Sequence, residues 1–176
     1  MNYLIIGGSK SGKSDIAERI SLELNKNKVI YIATMKPYDD EDKKRIEAHI
    51  RKRYGYNFVT IEKTEDIDEL SMSINSQDTV LIDSITSLLN NEMFKGNIIN
   101  NKAGSKIVSD IKKIIDKRCN TVIVSDYIFN DSIQYDEVTE NYKKQLAFIN
   151  KKLAQYSDKV IECVFGVIKV WKDDIV

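Results

Sequence analysis

Tyr3-Leu4-Ile5-Ile6-Gly7-Gly8-Ser9-Lys10-Ser11-Gly12-Lys13-Ser14 begins as an apolar run and ends in a Gly-Lys-Ser step. The run Tyr3 to Ile6 reads as a buried strand. Beyond it, Ile16, Ala17, Ile20 and Leu24 recur at helical spacing, which predicts a helix over 13–26. Between strand and helix, Gly7 to Ser14 fits G-x-x-x-x-G-K followed by Ser or Thr, in the strand–helix context that pattern requires. Glycines let the backbone turn with its N–H groups pointing inward around an anion, and the helix N-terminus adds partial positive charge. A lysine there suits the outer phosphates of a nucleoside triphosphate, and the hydroxyl after it suits Mg²⁺. Glycine is scarce in this chain: there are seven, and Gly7, Gly8 and Gly12 fall within six consecutive positions. At average residue usage, chance places such a pattern in about 1% of chains this long or fewer. Gly7, Gly8, Ser9, Lys10, Ser11, Gly12, Lys13 and Ser14 are therefore the candidate nucleotide-binding loop, for a nucleoside triphosphate with Mg²⁺, and Ser14 is a candidate metal ligand.

Outward from this loop, short apolar runs alternate with longer helical patterns. Strands are predicted over 28–33, 57–61, 79–83 and 121–125, and helices over 41–53, 66–75, 84–93, 103–117 and 136–157. Pro37 and the acidic run Asp39 to Asp42 mark a loop, and the Asn-rich stretch 95–102 reads as another. Residues 159–164 and 167–171 read as a closing hairpin joined at Gly166. The strands are continuous apolar runs, as in a sheet buried on both faces. The expected fold is α/β: a three-layer domain like that of the phosphate-loop NTPases, spanning 1–176, mostly parallel with a C-terminal antiparallel hairpin. Val80-Leu81-Ile82-Asp83 is an apolar strand ending in a carboxylate, which makes Asp83 a second candidate ligand of Mg²⁺, directly or through water.

Composition excludes several classes. The 176 residues carry 27 Lys plus Arg against 27 Asp plus Glu, a net charge of zero, which argues against nucleic-acid binding through a broad field. No apolar run approaches the roughly 18 residues of a membrane span, and Met1 to Leu4 lacks the features of a signal peptide. Two cysteines, Cys119 and Cys163, are too few for a disulfide scaffold or a four-cysteine metal site, so buried thiols and a cytoplasmic location are expected. No Asn-Lys-x-Asp run is present, unlike ordinary regulatory GTPases.

The only histidine, His49, lies in Lys43-Lys44-Arg45-Ile46-Glu47-Ala48-His49-Ile50-Arg51-Lys52-Arg53. On a helix, Arg45, His49 and Arg53 share one face. A neutral imidazole among cations suits nucleophilic attack at phosphorus. The residues alone equally allow a solvated basic helix with an incidental histidine.

The phosphate loop, then Tyr31-Ile32-Ala33-Thr34, Asp39-Asp40-Glu41, Arg45-Ile46 with His49 and Arg53, Thr60 and Glu62, Leu81-Ile82-Asp83-Ser84-Ile85-Thr86 and Asn91 together resemble one family. It is the bifunctional adenosylcobinamide kinase / adenosylcobinamide-phosphate guanylyltransferase family of cobalamin biosynthesis, and the likeness covers about residues 1–94. The resemblance implies a kinase step from ATP or GTP to a cobinamide hydroxyl, followed by GMP transfer from GTP through a GMP-histidine adduct. It implies that His49 is the nucleophile, that Ile50, Arg51, Lys52 and Arg53 lie along the nucleotide, and that Thr34, Glu62 and Asp83 belong to the nucleotide site. It also implies a corrinoid substrate (adenosylcobinamide) and a homo-oligomer, typically a trimer. Farther on the chain departs from the family pattern. The Asn-Glu pair after the fifth strand is here Asp126-Tyr127, and the glycines that follow are Phe129 and Asp131, while Asn150 keeps its place. A monofunctional small-molecule kinase and a non-catalytic nucleotide-binding regulator are the rival readings.

Overall fold

The computed structural model describes residues 1–37, 39–96, 98–129 and 133–173; within the second helix the side chains of residues 42, 43, 45, 48 and 52 lie outside the description. The quoted apolar run forms β1 (Asn2–Gly7), and the lysine of the loop opens α1 (Lys13–Leu24). There follow β2 (Val29–Ala33), α2 (Asp40–Arg53), β3 (Phe58–Glu62), a 3-10 helix (Ile67–Ser73), β4 (Thr79–Asp83) and α3 (Ile85–Met93). Then come β5 (Phe94–Lys95), β6 (Ile98–Ile99), α4 (Ala103–Ile115), β7 (Asn120–Asp126), α5 (Glu137–Tyr156), β8 (Lys159–Val164) and β9 (Val167–Asp173).

Seven strands form one sheet in the order β3-β2-β4-β7-β1-β8-β9. All pairings are parallel except β8 with β9. Successive residues of each strand face opposite layers, so continuous apolar runs feed two cores. Ile5, Val29, Tyr31, Leu81, Val122, Val124 and Ile161 pack on one face against Ile16, Ala17 and Ile20 of α1. Leu4, Ile30, Ile32, Val80, Ile82, Ile123 and Val160 pack on the other against α3, α4, α5 and the 3-10 helix. The expected α/β three-layer architecture and its antiparallel terminal hairpin are present.

Two local expectations are corrected. The helix expected over 66–75 is a 3-10 helix, Ile67–Ser73. Its apolar residues Ile67 and Leu70 are three apart, which suits three residues per turn. Within the loop expected at 95–102, β5 and β6 pair antiparallel, Phe94 with Ile99 and Lys95 with Ile98, a ladder too short to show any periodicity. The helix expected over 84–93 is α3, and its Ile85, Leu88, Leu89 and Met93 are fully buried. Both cysteines are free and buried, as expected. Among the described residues no helix is long and apolar enough to cross a membrane.

Candidate active site

The parallel order puts the C-terminal ends of β1, β2, β4 and β7 side by side. Gly7 sits opposite both Asp126 of β7 and Cys163 of β8, and Ala33 sits opposite Asp83. The phosphate loop leaves β1 at this edge. At Gly12 the backbone takes φ 89°, the left-handed region that disfavours side chains, immediately before α1 starts. Gly7 is required for a different reason: a Cβ there would lie 2.4 Å from the Cys163 carbonyl oxygen and 2.7 Å from Ser11 Oγ. The first contact is with backbone in a paired strand, which cannot step aside. Gly7→Ala is expected to push the loop off β8, weaken nucleotide binding by at least tenfold (about 1.4 kcal/mol) and lower the melting temperature; calorimetric titration with nucleotide and a thermal melt check this.

The loop residues already carry strong local contacts. Lys13 is 7% exposed; its Nζ donates to Gly8 O at 2.6 Å and lies 2.8 Å from Asp126 Oδ1. Ser11 Oγ is buried and has no hydrogen-bond partner among the described residues. An orphaned hydroxyl inside an amide-lined turn at a helix N-terminus is the arrangement an incoming phosphate would complete.

Beside the loop lies a cleft of about 370 Å³ between the sheet edge and α2. Ser14, Glu62, Asp83, His49, Ile50 and Arg53 all line it, joined by Tyr31, Ser84 and Ser87. Six elements, α1, β2, α2, β3, β4 and α3, thus bring residues from both ends of the 1–94 segment to one space. His49 and Arg53, one helical turn apart on α2, both reach Glu18 of α1. Arg53 Nη1 is 3.2 Å from Glu18 Oε1, and His49 Nδ1 is 4.0 Å from the same oxygen. The Arg53 guanidinium lies 3.6 Å above the Tyr31 ring, and the Tyr31 hydroxyl donates to Asp83 Oδ2 at 2.8 Å. Burial, then the Asp83 charge, push the Tyr31 phenol well above its usual range, with Arg53 opposing, so the ring stays neutral.

Of the phosphate loop only Ser14 lines the cleft, with Gly7 to Lys13 lying outside its lining, and Thr34 and Arg51 do not line it either. Thr34 is fully buried, and its hydroxyl accepts from Ser84 N at 2.8 Å and donates to Ser84 O at 2.7 Å. It braces the end of β4, where the Asp83–Ser84 peptide is cis. The Arg51 guanidinium is exposed and pairs with Glu47 at 3.2 Å. The Lys52 and Arg45 side chains lie outside the described residues, as do residues 130–132 of the segment that departs from the family pattern. Asn91 donates to Thr34 O at 2.8 Å and Thr64 O at 3.2 Å, tying β2 to the chain beyond β3. Asn150 accepts from Ser125 Oγ at 2.6 Å, holding the end of β7. Glu18, Tyr31 and Asp126 were not legible as site residues, because each acts on a partner distant in sequence.

Comparison with known proteins gives the site a context. The family described as cobinamide kinase / cobinamide phosphate guanyltransferase matches residues 3–170, nearly the whole chain. This chain belongs to that family. Two relatives of the cobinamide kinase / guanyltransferase family carry the name bifunctional adenosylcobalamin biosynthesis protein CobU. The one from Escherichia coli is 38% identical over 95 residues, 53% of this chain, and the aligned stretch spans about half of that protein, 51%. The one from Salmonella typhimurium is 26% identical over 179 residues, covering 95% of this chain and 97% of that protein. Solved structures show the fold at larger distance. A KaiC-like protein from Pyrococcus horikoshii superposes with TM-score 0.60 at 11% identity, covering 99% of this chain and 80% of that one. The RadB recombinase superposes with TM-score 0.52 at 16% identity, over 92% of this chain and 73% of that one. The chain thus has the phosphate-loop NTPase fold and belongs to a transferase family of cobalamin biosynthesis.

Proposed function

We propose that this member of the cobinamide kinase / guanyltransferase family performs both transfers at one cleft. In the first, the cobinamide side-chain hydroxyl attacks the γ-phosphorus of ATP or GTP and the nucleoside diphosphate leaves. In the second, an imidazole nitrogen of His49 attacks the α-phosphorus of GTP. The bond to the bridging oxygen breaks, and pyrophosphate leaves with the electron pair. A phosphate oxygen of adenosylcobinamide phosphate then attacks the same phosphorus, and the P–N bond returns its electrons to the imidazole. One observation carries this reading: the chain's only histidine lines the same cleft as Ser14 of the phosphate loop and Asp83 of β4.

Lys13 and the loop amides would hold the outer phosphates, with Gly7, Gly8, Ser9, Lys10, Ser11 and Gly12 forming the turn. Ser14 and Asp83 fit Mg²⁺. Both line the cleft, and a hydroxyl and a carboxylate are the hard oxygen donors that Mg²⁺ takes alongside phosphates and water. When bound, Mg²⁺ draws charge from the phosphate oxygens. Ile50 and Arg53 would flank the nucleotide, with Arg51 and Lys52 farther along it, Glu62 on its sugar side and Thr34 setting the strand end beneath it. We further propose a cytoplasmic homo-oligomer, trimeric as in the family it resembles; the exposed Phe165, Val167 and Trp171 of the terminal hairpin support a subunit contact.

The test uses GTP labelled at the α-phosphate. With Mg²⁺, the wild-type protein is expected to acquire an acid-labile label, discharged by adenosylcobinamide phosphate into a GDP-corrinoid product. A protein that stays unlabelled while binding GTP overturns the guanylyl half of the reading.

A further inference from the structure

We propose that Glu18 is the positioning residue of the nucleophile, selecting the imidazole nitrogen that attacks phosphorus. The inference rests on His49 being the guanylylated residue and goes beyond it.

Glu18 lies on α1 one turn past the phosphate loop and is 7% exposed. A carboxylate so buried needs a partner, and Arg53 supplies one at 3.2 Å. Arg53 is itself 6% exposed and lies flat on Tyr31 at 3.6 Å. The carboxylate is therefore fixed in direction rather than free to follow solvent. The same oxygen, Oε1, is 4.0 Å from His49 Nδ1. That nitrogen is buried and has no hydrogen-bond partner among the described residues. One buried acceptor and one orphaned ring nitrogen thus face each other across a gap that a ring shift of about 1 Å closes to hydrogen-bond length. Such gaps commonly tighten once substrate fills the site.

The chemical consequence follows from the imidazole. In its neutral form one ring nitrogen carries the proton and the other the lone pair, and the hydrogen bond at one nitrogen decides which is which. A carboxylate facing Nδ1 favours the proton there and leaves the lone pair on Nε2. Nε2 then attacks the α-phosphorus as pyrophosphate leaves with its bonding electrons. The ring becomes cationic until the GMP departs, and the Glu18 carboxylate stabilises that charge while the Nδ1 proton stays in place. Because α1 also starts at the phosphate loop, the carboxylate that orients the nucleophile and the amides that would bind phosphate are built on one helix.

Two measurements test this. The chain has a single histidine, so ¹⁵N-histidine labelling of the wild-type protein reports His49 alone. Ring-nitrogen shifts and their couplings to the ring protons at alkaline pH are expected to show the Nδ1–H tautomer; a predominant Nε2–H tautomer overturns the proposal, and no variant needs to fold. Second, Glu18→Gln is expected to slow formation of the GMP adduct by about 100-fold in a single turnover. Phosphorylation of adenosylcobinamide at saturating nucleotide should fall far less, so the ratio of adduct rate to kinase rate drops at least about tenfold, a split that a merely structural prop on α1 would not produce. An unchanged adduct rate, or a parallel loss of kinase activity, overturns it. If the wild-type protein forms no adduct at all, the parent reading of His49 fails instead, and the two failures stay distinct.

Discussion

Replacing His49 by alanine is expected to abolish the protein-bound GMP and to cut guanylyl transfer by at least about a thousandfold, roughly 4 kcal/mol of barrier, with adenosylcobinamide phosphorylation largely intact. The size follows from the lack of a substitute. His49 is the only imidazole in the chain. Cys119 and Cys163 are buried, and burial raises both thiols above their usual range, so neither offers a thiolate near neutral pH. The lysine nearest the phosphates, Lys13, is an ammonium held by Asp126 and Gly8. Direct attack by the corrinoid phosphate on GTP would set two anions against each other, the very problem the histidine removes by dividing the transfer in two. The kinase step uses no imidazole in this scheme, since acceptor and γ-phosphate meet at the loop. Acid-labile label per subunit and the rate of cobinamide phosphate formation, measured on the same preparation, separate the two activities. Full labelling of the alanine variant would remove His49 from the mechanism.

What was legible beforehand divides by distance along the chain. The phosphate loop is contiguous, so its glycines, Lys13 and Ser14 could be read as one motif with its flanking strand and helix. Asp83 could be read because an apolar strand ends in a carboxylate, and parallel strands present their C-terminal ends to one edge. His49 and Arg53 could be placed on one helix face by their spacing of four, but not aimed at anything. Their target is Glu18, 35 residues before Arg53, and Tyr31 meets Asp83 across 52 residues. Such pairings depend on the strand order β3-β2-β4-β7-β1-β8-β9, which apolar runs do not encode. The same reason hid Asp126. As a sequence feature it was a departure from the family's Asn-Glu pair; in the fold β7 runs beside β1, and that departure sets a carboxylate against the phosphate-loop lysine.

That contact shapes the second large effect. Lys13→Ala is expected to weaken nucleotide binding at least about a hundredfold and to reduce both transfers by roughly a thousandfold, because the outer phosphates lose their neutralising ammonium. Asp126 makes the loss worse than a missing attraction. In the native loop its carboxylate is 2.8 Å from Lys13 Nζ. Without the lysine that carboxylate, whose side chain is 27% exposed, faces the phosphate site as an unpaired anion. The second charge can be tested apart from the first. In the Lys13→Ala background, Asp126→Asn removes the repulsion and should restore part of the nucleotide affinity, about three- to tenfold. In the native background the same change only frees Lys13 from a competitor. The double-mutant cycle, read by nucleotide titration, should therefore show clear coupling between the two positions. Strict additivity would mean that the ion pair plays no part in binding, and wild-type affinity and turnover in Lys13→Ala would remove the phosphate loop from the site altogether.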